Sequence, residues 1–259
     1  YTPAPGQFIN EDYMTNSAEE ACSYAERRMR DSLFVSLGSF GGYIVVGFDH
    51  SISDEEGYDF EIIGNSYENN SEPGIVWVMQ DENGDGKPND TWYELKGSDT
   101  FSEDTIHDYC VTYTRPASAA HTPWVDNYGN KGQVTYLKAY HRQEYYYPLW
   151  IKANSYTLVG TRLAARNYQD HGGWVNPSYE WGYADNFSYK DGVTTAADGN
   201  AGPVSNYFDI DNAVRFDGTP AKLDYIDFIK VQSALNGSSG VTGELSTEVL
   251  GSFASTIKG

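Results

Sequence analysis

The chain has 259 residues, long enough for one large β domain, and carries 17 basic and 37 acidic side chains for a formal charge of −20. That charge argues against nucleic acid and anionic membrane surfaces as partners, because their phosphates would be repelled. No apolar run reaches the roughly eighteen residues of a spanning helix, and the 15% aromatic content, with 22 Tyr and 6 Trp, suits both a β core and a ligand-binding surface.

The first residue is Tyr1 rather than Met, which reads as a trimmed chain that has lost a leader. Residues 1–15 are Pro-rich and polar, an extended entry segment. Ser17-Ala18-Glu19-Glu20 has the form of a capping box, and Ala21, Ala25, Glu26 and Met29 continue as helix formers, so a helix is expected over about 17–31. Cys22 and Cys110 are too few for a disulfide framework; they are expected to be buried free thiols, with pairing left open.

β character follows. Leu33–Leu37, Tyr43–Phe48, Phe60–Ile63, Ile75–Gln80, Trp92–Leu95, Tyr109–Tyr113, Gln133–Ala139, Ser155–Leu163 and Tyr225–Val231 are short runs rich in Val, Ile and aromatics between turn-forming residues. With a single helix, this spacing indicates an all-β antiparallel sandwich, jelly-roll-like, in one domain over 1–259. Long connections at about 115–132, 164–180 and 186–206 are rich in Gly, Asn, Asp and Pro, the kind of loop that carries function.

Between two of these strands, Asp81-Glu82-Asn83-Gly84-Asp85-Gly86-Lys87-Pro88-Asn89-Asp90 reads as a structural calcium loop. Asp81, Asn83 and Asp85 alternate as a cation wrap requires, Lys87 offers its carbonyl, and Gly84 and Gly86 permit the sharp turns. The position-12 Glu of an EF-hand-like loop is replaced by Trp92, so Asp90 or Glu94 would have to close the shell. The competing reading is a solvated acidic hairpin turn. Calcium would make the loop a staple holding Trp77–Gln80 against Trp92–Leu95, and it favours an exported protein.

The aromatic block Tyr145-Tyr146-Tyr147-Pro148-Leu149-Trp150 is read as a strand with core on one face and covering aromatics on the other. Ligand contacts are sought in the long connections instead: Trp124, Asn127 and Tyr128 in the first, and Tyr168, His171, Trp174 and Tyr179 in the second. Rigid Trp and Tyr faces can stack on a flat ring while Asn and Gln bond its amide or hydroxyl fringe, chemistry that suits a corrin or a sugar. The five histidines show no metal-ligand spacing, although His171 between its neighbours could approach a cobalt. No Gly-x-Ser-x-Gly elbow, phosphate loop or His-Glu-x-x-His motif is present. Carboxylate pairs such as Asp59 with Glu61, or Glu180 with Asp185, are expected by chance among so many acids, so catalysis is not expected.

Tyr1-Thr2-Pro3-Ala4-Pro5-Gly6-Gln7-Phe8, Gly41-Gly42-Tyr43-Ile44-Val45-Val46-Gly47-Phe48-Asp49-His50, Tyr58-Asp59-Phe60, Glu72-Pro73-Gly74-Ile75-Val76-Trp77-Val78 and Asp90-Thr91-Trp92-Tyr93-Glu94-Leu95 resemble a family of Bacteroidetes surface lipoproteins. So do Trp181-Gly182-Tyr183-Ala184-Asp185-Asn186, Ile226-Asp227-Phe228-Ile229-Lys230-Val231 and Ser246-Thr247-Glu248. Some members of that family are accessory vitamin B12-binding proteins beside the TonB-dependent cobalamin transporter. The resemblance implies an outer-membrane lipoprotein, displayed at the cell surface, that captures cobalamin and passes it to that transporter; a monomer is expected. A carbohydrate-binding module and an adhesion or structural module are the alternatives.

Overall fold

A computed structural model describes residues 1–11, 17–139, 143–191, 204–239 and 243–250. Helix α1 is Ala18–Arg30, and Ser17 caps it by accepting a hydrogen bond from the Glu20 amide at 3.2 Å. Glu19 and Glu20 in the first turn and Arg27, Arg28 and Arg30 in the last complement the helix dipole. Ala21, Tyr24 and Ala25 form its buried stripe. Cys22 lies off that stripe and is exposed, and Cys110 is half-buried; both are free, so the expected burial of the two thiols does not hold.

The strands among the described residues are β1 (Val35–Ser36), β2 (Tyr43–Ser53), β3 (Phe60–Gly64), β4 (Gly74–Met79), β5 (Trp92–Leu95), β6 (Ile106–Thr114), β7 (Thr122–Asp126) and β8 (Lys131–Val134). They continue with β9 (Ser155–Arg162), β10 (Tyr168–Asp170), β11 (Gly173–Val175), β12 (Val204–Phe208), β13 (Ala213–Val214), β14 (Tyr225–Ser233) and β15 (Glu248–Val249). A five-stranded antiparallel sheet in the order β13-β5-β4-β14-β2 faces a four-stranded sheet, β8-β7-β6-β9. The fold is all-β and sandwich-like with one N-terminal helix.

Strand β4 explains the layering. Nearly all of it is buried, as expected of a strand covered on both faces. Val76 and Val78 on one face join Phe60, Ile62, Phe208 and Ala25, so the β3–β12 pair and α1 form a third layer. Ile75 on the other face joins Leu163, Tyr179, Tyr183 and Leu235, with Trp77 packed against them. Gln232 of β14 ties the two large sheets together, its Nε2 donating to the carbonyls of Gly41 and Val159 at 2.9 and 3.0 Å.

Three expectations change. The run expected as a strand over 133–139 ends at Val134, because the next amides find side chains: Tyr136 donates to His121 Nδ1 and Leu137 to the Tyr146 hydroxyl. The connections at 115–132 and 164–180 contain β7 and the β10–β11 hairpin. The block Tyr145–Trp150 is not a strand; Tyr146 and Tyr147 are both fully buried. Asn10 holds it by donating to the carbonyls of Tyr145 and Tyr147 and accepting from the Leu149 amide.

Candidate functional site

The acidic loop joins β4 to β5, and its geometry follows from the alternation of its short polar side chains. Asp81 accepts from the amides of Gly84, Asp85 and Gly86, Asn83 Oδ1 from Asp85, and Asp85 Oδ1 from Lys87. Gly84 and Gly86 take φ of 71° and 70°. The Lys87 carbonyl accepts from Asn89, and Asp90 closes the loop by accepting from the amide and side chain of Asn83. The base is anchored by Asp227, a bulge residue of β14, which accepts from the Asp81 amide at 2.8 Å and from the Ser51 hydroxyl at 2.6 Å. An all-oxygen donor set fits a hard cation. Two triplets of carboxylates that converge within 4.8 Å lie elsewhere, however: Asp54, Asp59 and Asp209, and Glu72, Asp185 and Glu248. Glu94, considered for the loop, is instead a buried member of β5 whose Oε2 accepts from Thr161 on the facing sheet.

The aromatics singled out in the long connections do not converge. Trp124 lies flat over its cross-strand neighbour Gly132, where an added Cβ would come within 2.3 Å of the indole, so it is packing material. Asn127 is used by the scaffold, accepting from the Cys110 amide and donating to the Asp108 carbonyl. Tyr128 is exposed but stacks on Tyr109 with ring centroids 6.2 Å apart. His171 and Gly172, with φ of 45° and 85°, form the two-residue turn between β10 and β11. Opposed pairs in that hairpin are Tyr168 with Val175 and Gln169 with Trp174, so Tyr168 and Trp174 emerge on opposite faces and cannot make one stacking platform. Tyr179 is core: 1% exposed, edge-on to Tyr183, its hydroxyl donating to the Ala164 carbonyl. Three cavities of 280 to 370 Å³ among the described residues are lined by other side chains.

One of these, of 280 Å³, is lined by residues of both large sheets and is built from the five-stranded sheet upward. Register places Val45, Lys230, Trp77, Glu94 and Val214 in one row across β2, β14, β4, β5 and β13. Trp92, two residues before Glu94, shares that face. Trp77, Trp92 and Glu94 line the cavity with His107 and Thr161 of the facing sheet. Phe101 and Phe216 complete it from two turns and are 64% and 86% exposed. Phe101 lies against Gly218, joining the turns at the mouth, and hydrogen bonds from Arg215 to Thr219 and from Gly218 to Arg215 fix the loop that raises Phe216.

The polar groups are few and placed. Thr161 donates to Glu94 Oε2 at 2.5 Å, and His107 Nε2 donates to the Thr100 carbonyl at 2.8 Å, leaving Nδ1 3.7 Å from Glu94. The Glu94 carboxylate beside it holds the His107 pKa above its ordinary value, against the opposing effect of burial. Trp77 Nε1 and Glu94 Oε1 are both buried without a partner. These cross-strand neighbours offer one donor and one acceptor, each costing on the order of 1–3 kcal/mol while unsatisfied. The Lys230 ammonium lies 4.4 Å from the Trp77 centroid and 5.3 Å from that of Trp92, and burial lowers its pKa to about 8.

Comparison with known proteins finds no family model and no curated relative that matches the chain. The cavity is therefore read on its chemistry alone. Aromatic walls with one unpaired donor and one unpaired acceptor form the general arrangement of a small-ligand site. Sequence reasoning missed Phe101 and Phe216 because each is a lone aromatic in a polar turn. Asp185 accepts from the amides of Asn65 and Glu248, and Asn186 pairs with both backbone groups of Tyr179, so both brace the backbone. Glu180 is exposed and paired with Lys190, while Asp59 accepts from the amides of Glu55 and Ile210.

Proposed function

We propose that this protein is a non-catalytic binding protein of the bacterial surface that captures a small ligand in the cavity between Trp77, Trp92, Phe101 and Phe216. The observation that carries the proposal is the pairing of these aromatic walls with the unpartnered Trp77 Nε1 and Glu94 Oε1. A ligand with a flat or puckered ring and an amide or hydroxyl fringe satisfies both: the ring stacks and the fringe completes the two hydrogen bonds.

The resemblance to surface lipoproteins makes cobalamin the first ligand to test. Its amide-bearing corrin would rest across Phe101 and Phe216 with a side chain reaching the indole N–H and the carboxylate, before delivery to a TonB-dependent transporter. Calcium in the loop 81–90 would stiffen the β4–β5 junction that carries Trp77 and Trp92. Calorimetric titration with cyanocobalamin tests this reading, and absence of heat at roughly 10–50 µM, where a micromolar complex saturates, rejects it.

The volume of 280 Å³ favours a second reading, because it suits a single ring better than a whole corrin. A sugar stacked on an indole with its hydroxyls on Glu94 uses the same groups, so a carbohydrate-binding module is the alternative. Binding on a glycan array together with silence toward cyanocobalamin would select it.

A further inference from the structure

The largest of the three cavities, about 370 Å³, lies apart from the aromatic site, between α1 and the segment that ends in β15. Its lining includes Glu11, Glu72, Glu244 and Glu248, against one basic side chain, Arg28, whose Nε donates to the Phe34 carbonyl.

Each acid is held by a specific contact. Glu72 Oε1 accepts from the Ser246 amide at 3.0 Å, and Glu248 Oε1 from the Ser36 hydroxyl at 2.9 Å. Asp185 accepts from the amides of Asn65 and Glu248 and takes φ of 54°, a left-handed conformation uncommon outside glycine and typical of sites that store strain. Gly64 makes room for it: a Cβ there would sit 2.5 Å from Asp185 Oδ1 and 2.7 Å from its Cα. One oxygen each of Glu72, Asp185 and Glu248 lies within 4.8 Å of the others. Two oxygens bound to one calcium at about 2.3–2.6 Å are separated by at most about 5 Å, so this spacing is that of ligands sharing an ion.

A second observation is independent of the triplet. Glu244, 6% exposed, lines the same cavity; its Oε1 accepts from the Gln7 amide at 2.5 Å while Oε2 is buried without a partner. Leaving a carboxylate oxygen unpaired in a cavity is costly unless something enters to meet it.

We propose that Glu72, Asp185 and Glu248, with Glu244 beside them, form a site for a hard divalent cation, calcium in class, distinct from the loop 81–90. Burial, compounded by neighbouring carboxylates, pushes Glu72 and Glu248 well above the usual carboxylate range. The ion joins β3 and β4 to the β1–β15 pair through residues far apart in the chain.

The test uses the whole chain and calcium itself. Equilibrium dialysis counts bound calcium in the wild type, in Asp81→Asn/Asp85→Asn and in Glu72→Gln/Glu248→Gln, and crystals soaked in terbium chloride locate the site by anomalous scattering. Support is an ion retained by Asp81→Asn/Asp85→Asn, lost from Glu72→Gln/Glu248→Gln, and an anomalous peak among the three carboxylates. An unchanged ion count in Glu72→Gln/Glu248→Gln, or no peak at saturating terbium with the carboxyls hydrogen-bonded to one another, overturns the proposal. If the Gln variant does not fold, the wild-type anomalous map decides alone.

Discussion

Lys230 stands directly opposite Trp77 across β14 and β4, its ammonium 4.4 Å from the indole centroid. Burial favours the neutral amine and lowers its pKa from 10.5 to about 8, while Glu94 works in the other direction. The unfolded chain therefore binds more protons at this site than the folded one between about pH 8 and 10.5, so the Lys230 contribution to stability should rise with pH across that window. At 1.36 kcal/mol per pH unit the gain is at most roughly 3 kcal/mol. Lys230→Met should abolish the rise and, by removing a buried charge, increase stability at pH 7. Denaturant melts at pH 7, 8.5 and 10 check both, and parallel pH dependence in the variant would refute the assignment.

Phe101→Ala and Phe216→Ala should weaken ligand binding by about 0.5–1.5 kcal/mol each, roughly two- to tenfold. Both rings are mostly exposed, so the melting temperature should hardly move. Calorimetry beside thermal melts separates the two effects.

Trp124→Ala should do the reverse. The indole covers Gly132 and packs on the core of the four-stranded sheet, so its removal should cost on the order of 1–3 kcal/mol while leaving ligand affinity intact. A binding defect without a stability defect would return Trp124 to the ligand site.

Asp81→Ala removes the acceptor of three loop amides and should lower the melting temperature even in chelator. If calcium occupies the loop, the wild type should gain a further increment, about 2.7 kcal/mol at a hundredfold excess over Kd, that the variant lacks. Calcium titrations followed by thermal melts measure the difference.

Local signals carried most of the fold. The Ser17 cap and the Ala21–Tyr24–Ala25 spacing define a helix within a dozen residues, and β4 and β5 are continuous runs of strand formers bounded by turn residues. The failures are equally physical. Gln133–Ala139 has strand composition, but His121 and Tyr146 capture its later amides, an event decided by tertiary contacts. The site was least legible: Lys230, Trp77 and Glu94 meet only through strand register, which no short window encodes. Trp124, Tyr168 and Trp174 show the converse, since loop aromatics become a surface only if the pairing puts them on one side.

The carboxylate triplet has a consequence for how the molecule is made. Glu248 reaches Asp185 across 63 residues, and Ser246 reaches Glu72 across 174. Such distant closures make assembly slow. A ribosome-bound chain has no triplet to offer until residue 248 has been added, so a cation held there would latch only a chain in which β15 has already been made.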